Sequence, residues 1–473
     1  MNQSGKSIAT GLLVLLITAM IYASFTSRSG TPIPEDREEV VFWHFWGGAD
    51  RKIVEEVVRR FNTSQQQYFV RAIAMPGNNL DVKLFLSVTG GDPPDLINQD
   101  DPIVADWASR GALTPLSELA SEQEMTQLPT WLFPAARRLG SYNGQLYALC
   151  NGLDIRALYY NASLIEKKLG VDQLPDQLPN LQRLDEIAQL CTETDEQGKP
   201  TRLGYLPDPR RLWAWGVVFG GQFYDPRQNQ VTVDSAPIIA ALEWMTSYRE
   251  RYGPDTVSAF RQGDQSLPGK IFPLLAKRYA IVMDGQWRCR DIAAAQSEER
   301  ATGNQITRYG VWPLPKPAGS TAGADGWVNG NFFLVPRGAR NRPGAWAFMK
   351  FWSGFDGHEA EAAITCQAGG WIPASEQVVQ QPSFQNYLTA QPLFARFVEL
   401  AGGNQIPTPV VPGAGMFQRT VNEAVQRSMY LPSPPSAAKL LQQADREIQQ
   451  HLDRMRPQSA DSKDGDRPQR SQP

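Results

Sequence analysis

The stretch VVFWHFWGGAD, Val40 to Asp50, begins as a strand and ends on two glycines and an acidic residue. Val40 to Phe45 is apolar or aromatic apart from His44. Beyond the glycines, Ile53, Val54, Val57, Val58 and Phe61 recur at helical spacing, so one apolar stripe follows the strand. Asp50 is the expected N-cap of that helix. YFVRAIAM, Tyr68 to Met75, returns to strand composition, and Asp81 to Val88 to helix. GGDPPDLIN stops this second helix before a short apolar strand at Asp95 to Ile97. Strand, helix, strand, helix, strand requires crossovers and predicts a largely parallel sheet.

A second block follows. YNGQLYAL, Tyr142 to Leu149, carries an Asn-Gly hairpin signal. IRALYYN, Ile155 to Asn161, is strand-like, and helical patterns start at Ala162, Leu181 and Ser235. RYAIVMDGQW (Arg278 to Trp287), RYGVWPLPKPAG (Arg308 to Gly319) and VNGNFFLVPRG (Val328 to Gly338) read as strands with exits. Gly344 to Trp352 and most of the remainder to Leu452 read as helix. Two α/β blocks are expected, with the chain crossing from the first to the second near Cys150 to Tyr159.

The chain has 473 residues, enough for two domains. Its formal net charge is −3 and it has no long basic block, which excludes a nucleic-acid partner. Its four cysteines form no CxxC pair and its three histidines are scattered, so neither a metal site nor a cofactor is expected. The four cysteines leave three disulfide pairings, or free thiols, open. Nucleophile elbow, P-loop, zinc signature and dinucleotide loop are all missing, so the chain is not read as an enzyme. Ser7 to Ser27 is free of charge and long enough to cross a bilayer. Residues 8–26 are expected to be a signal anchor, or else a cleaved signal peptide. Either places the rest outside the cytoplasm, at the cell surface or in the periplasm. Residues 456–473 hold no aromatic side chain and no aliphatic one but Ala460 and prolines, and are expected to be disordered.

These motifs, in this order, resemble the carbohydrate-type extracellular solute-binding proteins of ABC importers, which include maltodextrin and glycerol-phosphate binders. VFWHFWGGADRKIVEEVVRRFN is similar to the family's first strand, ligand loop and helix. SVTGGDPPDLINQDDPIVADWASRGALTPLSEL is similar to its second signature, and YNGQLYALCNGLDIRALYYNASLIEKKLG to its hinge. KRYAIVMDGQWRCRDI, YGVWPLPKPAG and GWVNGNFFLVPRGARNRPGAWAFMKFWSG match later family patterns. LPNLQRLDEIA departs from the usual Pro-x-Thr-Trp, and the lipid-anchoring cysteine of many members is missing. The resemblance implies a type II two-lobe periplasmic-binding-protein-like α/β fold, each lobe a largely parallel sheet flanked by helices. Residues 39–152 and 326–412 would form the first lobe, 153–325 and 413–455 the second, with 1–38 as anchor and linker. The implied protein is a monomer that closes over a sugar and passes it to a permease. A membrane-tethered sensor is the alternative; a glycosidase would need paired carboxylates that no motif fixes.

Ligands of open α/β sheets lie beyond the carboxyl ends of strands, which places Trp43 to Gly48 at the cleft. Strand alternation forbids all four aromatic-type rings from pointing one way. Trp43 and Phe45 are expected to pack inward and His44 or Trp46 to reach the cleft. A sugar site needs flat aromatic platforms and polar groups for hydroxyls. The candidate platforms are Trp46, Trp215, Trp287, Trp327 and Trp371, each beside or near glycine among thirteen tryptophans. Trp287 leads, because DGQW matches a family loop whose tryptophan stacks on sugar. The polar candidates are Asn98, Gln99, Asp100, Asp154 and Asp284, with Asp154 carried over from the hinge signature. Arg156, Arg210 and Arg211 suit either an anionic substrate or ordinary salt bridges.

Overall fold

The computed structural model describes residues 33–455, except 76–79, 269–270 and 322. The segments read as an anchor (residues 8–26) and as a disordered tail lie outside the described residues. Among the described residues no helix is long and apolar enough to cross a membrane.

The first block folds as its periodicity dictates. β1 (Glu38–His44) pairs in parallel with β2 (Tyr68–Ala74) and with β3 (Leu96–Asp100), and helices Gly48–Ser64 and Leu80–Thr89 make the crossovers. Buried Asp95 fastens β1, accepting hydrogen bonds from Val41 N at 2.9 Å and from the backbones of Arg340 and Asn341. The first helix starts three residues earlier than expected. Gly47 caps it without a side chain, and Gly48, at φ +58, turns the chain straight into the helix. Asp50 therefore sits in the first turn, where the helix dipole favours it, and its carboxylate reaches Arg290 at 2.8 Å.

The Asn143-Gly144 turn, with both residues at positive φ, joins β4 (Ser141–Tyr142) to β5 (Gln145–Leu146). β6 (Ala148–Asn161) follows and is buried along its whole length. Two small hairpins come next, β7 (Glu193–Thr194) with β8 (Pro200–Arg202) and β9 (Tyr224–Asp225) with β10 (Gln230–Val231). β11 (Ile281–Gly285), β12 (Tyr309–Trp312), β13 (Gly326–Leu334) and β14 (Gln405–Pro407) complete the strands. The main sheet runs β11-β6-β13-β3-β1-β2, with β12 also on β6 and β14 on β13.

β6 is the hinge element. Its first half, Ala148 to Ile155, pairs with β13, which continues the sheet to β3, β1 and β2. Its second half, Arg156 to Asn161, pairs with β11 and β12 instead. Between Cys150 and Gly152 the register slips, leaving Asn151 as a bulge whose side-chain oxygen accepts from Asn98 at 2.8 Å. Two apolar cores lie either side of this crossing. One gathers Phe42, Phe333, Phe348 and Trp352; the other gathers Trp213, Trp215, Phe417, Val425 and Leu441. The fold is thus a mixed α/β two-lobe structure. All four cysteines are buried and free.

Candidate functional site

Where β6 passes between the lobes, its side chains meet those of β3, β11 and β13. The cross-strand pairs Asn329–Asp154 and Asn331–Asp100 set an amide beside each carboxylate. Gln286 locks the crossing: its amide binds Leu153 O at 3.1 Å and Ile155 N at 3.2 Å, and donates to Asp154 Oδ1 at 2.8 Å. Asn331 donates to the other Asp154 oxygen at 3.4 Å. Asp101 accepts from Gly330 N at 3.0 Å. Asp100 differs from its neighbours: at the carboxyl end of β3 its side chain is open to solvent.

Burial pushes the Asp154 carboxyl above the ordinary range against the pull of Arg156. Desolvation, then the neighbouring Asp154 charge, pushes Asp100 up to about 7. Asp284 goes the other way. Burial would raise it, but Arg211 and Arg288 hold it below the usual carboxylate value. Arg156 lies between two indoles, 4.6 Å from the Trp287 ring centre and 5.1 Å from that of Trp327. This arrangement needs Gly285, the cross-strand partner of Arg156. The Trp287 ring occupies the space where a side chain at 285 would stand.

From Asp284 a cavity of about 360 Å³ opens into the second lobe, walled by Asp208, Arg210, Arg211, Arg261, Tyr279 and Arg288 among others. The site therefore combines hydrogen-bonding carboxylates and amides, a half-buried indole and a cluster of guanidiniums. Among the described residues no group of histidines, cysteines and carboxylates is arranged to hold a metal ion.

The family model of bacterial extracellular solute-binding proteins matches residues 54–354. The chain belongs to that family. Solute-binding proteins of this family are binders rather than enzymes, and extracellular. Solved structures share the fold. CpMnBP1 with mannotriose bound is 21% identical, covering 86% of this chain and 99% of that one, with a TM-score of 0.71. The GacH receptor of Streptomyces glaucescens, studied with acarbose, is 19% identical, covering 89% and 99%, with a TM-score of 0.67. The sugar-binding protein MalE of Xanthomonas citri is 18% identical, covering 88% and 98%, with a TM-score of 0.68.

In this solute-binding protein Asp100, Asp154, Asp284 and Trp287 come together around Arg156. The other sequence candidates sit elsewhere. His44 and Trp46 turn into the first lobe: His44 is 2% exposed, and its ring lies between Phe42 and Trp46. Trp46 stacks on Trp352 and Trp371, so three indoles form one core pile. Strand alternation leaves Trp43 and Phe45 the half-exposed pair, the reverse of the expected orientation. Trp215 is fully enclosed in the second core against Trp244. Asn98, on β3, is fully buried with its amide on Asn151. Trp327 is buried, its N–H on Thr408 at 3.1 Å, and it reaches the site only through Arg156. Sequence reading missed Gln286, Asn329, Asn331 and Asp208. WVNGNFF did carry a strand-period signal, placing its two asparagines on one face.

Proposed function

We propose that this protein captures a carbohydrate in the cleft between its lobes and delivers it to an ABC importer. The carrying observation is the crossing point of β6. There Asp100, Asp154, Asn329 and Asn331 offer acceptors and donors suited to sugar hydroxyls, with Trp287 as a flat apolar wall. Similar folds holding mannotriose and acarbose support the same solute class. Asp100, Asp154, Asp284 and Trp287 are the proposed contacts. Trp46 and Trp371 stiffen the first lobe, Trp215 the second, and Trp327 seats Arg156. The lobes divide at the boundaries expected above, and closure is a hinge motion about β6 and β13. The charge-free run at residues 8–26 holds the monomer at the membrane, facing its permease. Calorimetric titration against an oligosaccharide panel tests the reading. Saturable binding lost in Asp154→Ala is expected; a folded protein that binds no sugar overturns it.

A further inference from the structure

Two buried guanidiniums of the cleft, Arg156 and Arg211, keep nitrogen donors without a partner among the described residues. Arg156 is 7% exposed. Among the described residues it has no ion-pair partner; one guanidinium N–H reaches Ile155 O at 3.4 Å, and its Nε has no partner at all. Asp154, Asp284 and Asp100 act on it only from beyond ion-pair distance, which leaves buried N–H donors to spare. Arg211 is equally buried; its single contact is Asp284 at 3.3 Å, and its Nε is also unpartnered. Asp284 is shared, since Arg288 binds it at 2.8 Å. Asp208 is shared in the same way by Arg210 at 2.9 Å and Arg261 at 3.2 Å. Four arginines on the cavity wall thus draw on three carboxylates, Asp284, Asp208 and, for Arg288 alone, Asp291 at 2.8 Å. The remaining acid there, Asp264, is taken by Arg278 and Tyr279, both at 2.6 Å.

We propose that the carbohydrate is acidic, carrying a carboxylate or phosphate group that Arg156 and Arg211 receive, while Asp100, Asp154, Asn329 and Asn331 take its hydroxyls. This rests on the sugar reading above and narrows it. Planar guanidiniums suit such groups, and an anion between two buried cations relieves their mutual repulsion. Desolvation first, then Arg211, lowers Arg156 to about 10 against the pull of Asp154, Asp284 and Asp100. Asp100 faces the cleft from β3 and repels an anion toward the arginine side.

The test is calorimetry on the full chain in detergent, at low and high salt. Probes are galacturonate and mannuronate trimers, sugar phosphates, and neutral maltotriose and mannotriose. An acidic probe is expected to bind at least about 30-fold more tightly than its neutral counterpart, less so at high salt. The uronate and phosphate series separate the two anion types. Arg156→Gln is expected to abolish the preference; should that variant fail to fold, exposed Arg210→Gln is expected to reduce it. Equal affinity for neutral and acidic probes overturns the inference but leaves the sugar reading standing. So does a folded Arg156→Gln protein that keeps the preference and only melts lower, as a purely structural arginine would. No binding to any sugar by the folded protein overturns both.

Discussion

Replacing Gly285 by alanine should weaken solute binding without unfolding the protein. A Cβ at this position would stand 2.2 Å from Trp287 Cζ3 and 2.4 Å from Cη2. Carbon atoms in contact sit about 3.5 Å apart, so the ring edge must retreat by about 1 Å or more. The obstruction is the far side of a half-buried side chain, which can swing, and not backbone, which cannot. Swinging it out breaks the 4.6 Å stack on Arg156 and tilts the indole wall of the cleft. A partly desolvated cation–π contact is worth about 1–2 kcal/mol, which is about 5- to 30-fold in affinity. The melting temperature should fall by no more than about 4 °C. Titration calorimetry with the best-binding sugar of the panel, beside a thermal melt, measures both. An alanine variant that binds as tightly as the parent refutes the placement of Trp287 on the binding surface.

Three other outcomes are expected. Burial, then the Arg51 charge, lowers the His44 imidazole from 6.5 to about 4. The unfolded chain therefore holds the extra proton between those values, so stability falls as pH drops through that window, by up to about 3 kcal/mol. His44→Phe should remove that dependence in urea midpoints measured at pH 7 and pH 4.5; an unchanged slope rejects it. Arg290→Ala breaks the 2.8 Å pair with Asp50, about one-third exposed on either side. It should cost less than about 1 kcal/mol in a chemical melt. A Cβ on Gly204 would lie 1.8 Å from Ala188 O, with its Cα and carbonyl carbon also inside 2.6 Å. Gly204→Ala meets backbone and should lose more than about 4 kcal/mol, seen as insoluble protein or a collapsed melting temperature.

The periodic parts of the fold were legible because apolar spacing reports which face is buried. β1, its helix, β2 and β3 come directly from such spacing. The hinge was legible too, since IRALYYN is apolar or aromatic except for Arg156 and the closing Asn161, and a central strand buries both its faces. Tryptophan beside glycine was the misleading signal. Glycine admits a ring to close range, but the ring's neighbour can be a ligand or the protein itself. Trp371 shows the second case, lying 2.4 Å from where a Cβ of Gly369 would be and 3.0 Å from that of Gly152. Only Trp287 pairs its glycine with a half-open face. Asp208 was unreadable because its role depends on Arg210 and Arg261, brought together by separate elements.

β6 pairs with β13 along its first half and with β11 and β12 along its second, and the chain returns through β13 and β14 before its last two helices rejoin the second core. The two halves are therefore not separable modules. Any fragment ending inside residues 148–161 would carry a severed strand with bare amides and carbonyls along one side. Such an edge recruits other chains, so excised lobes of this protein would stick to one another rather than survive as miniature binders.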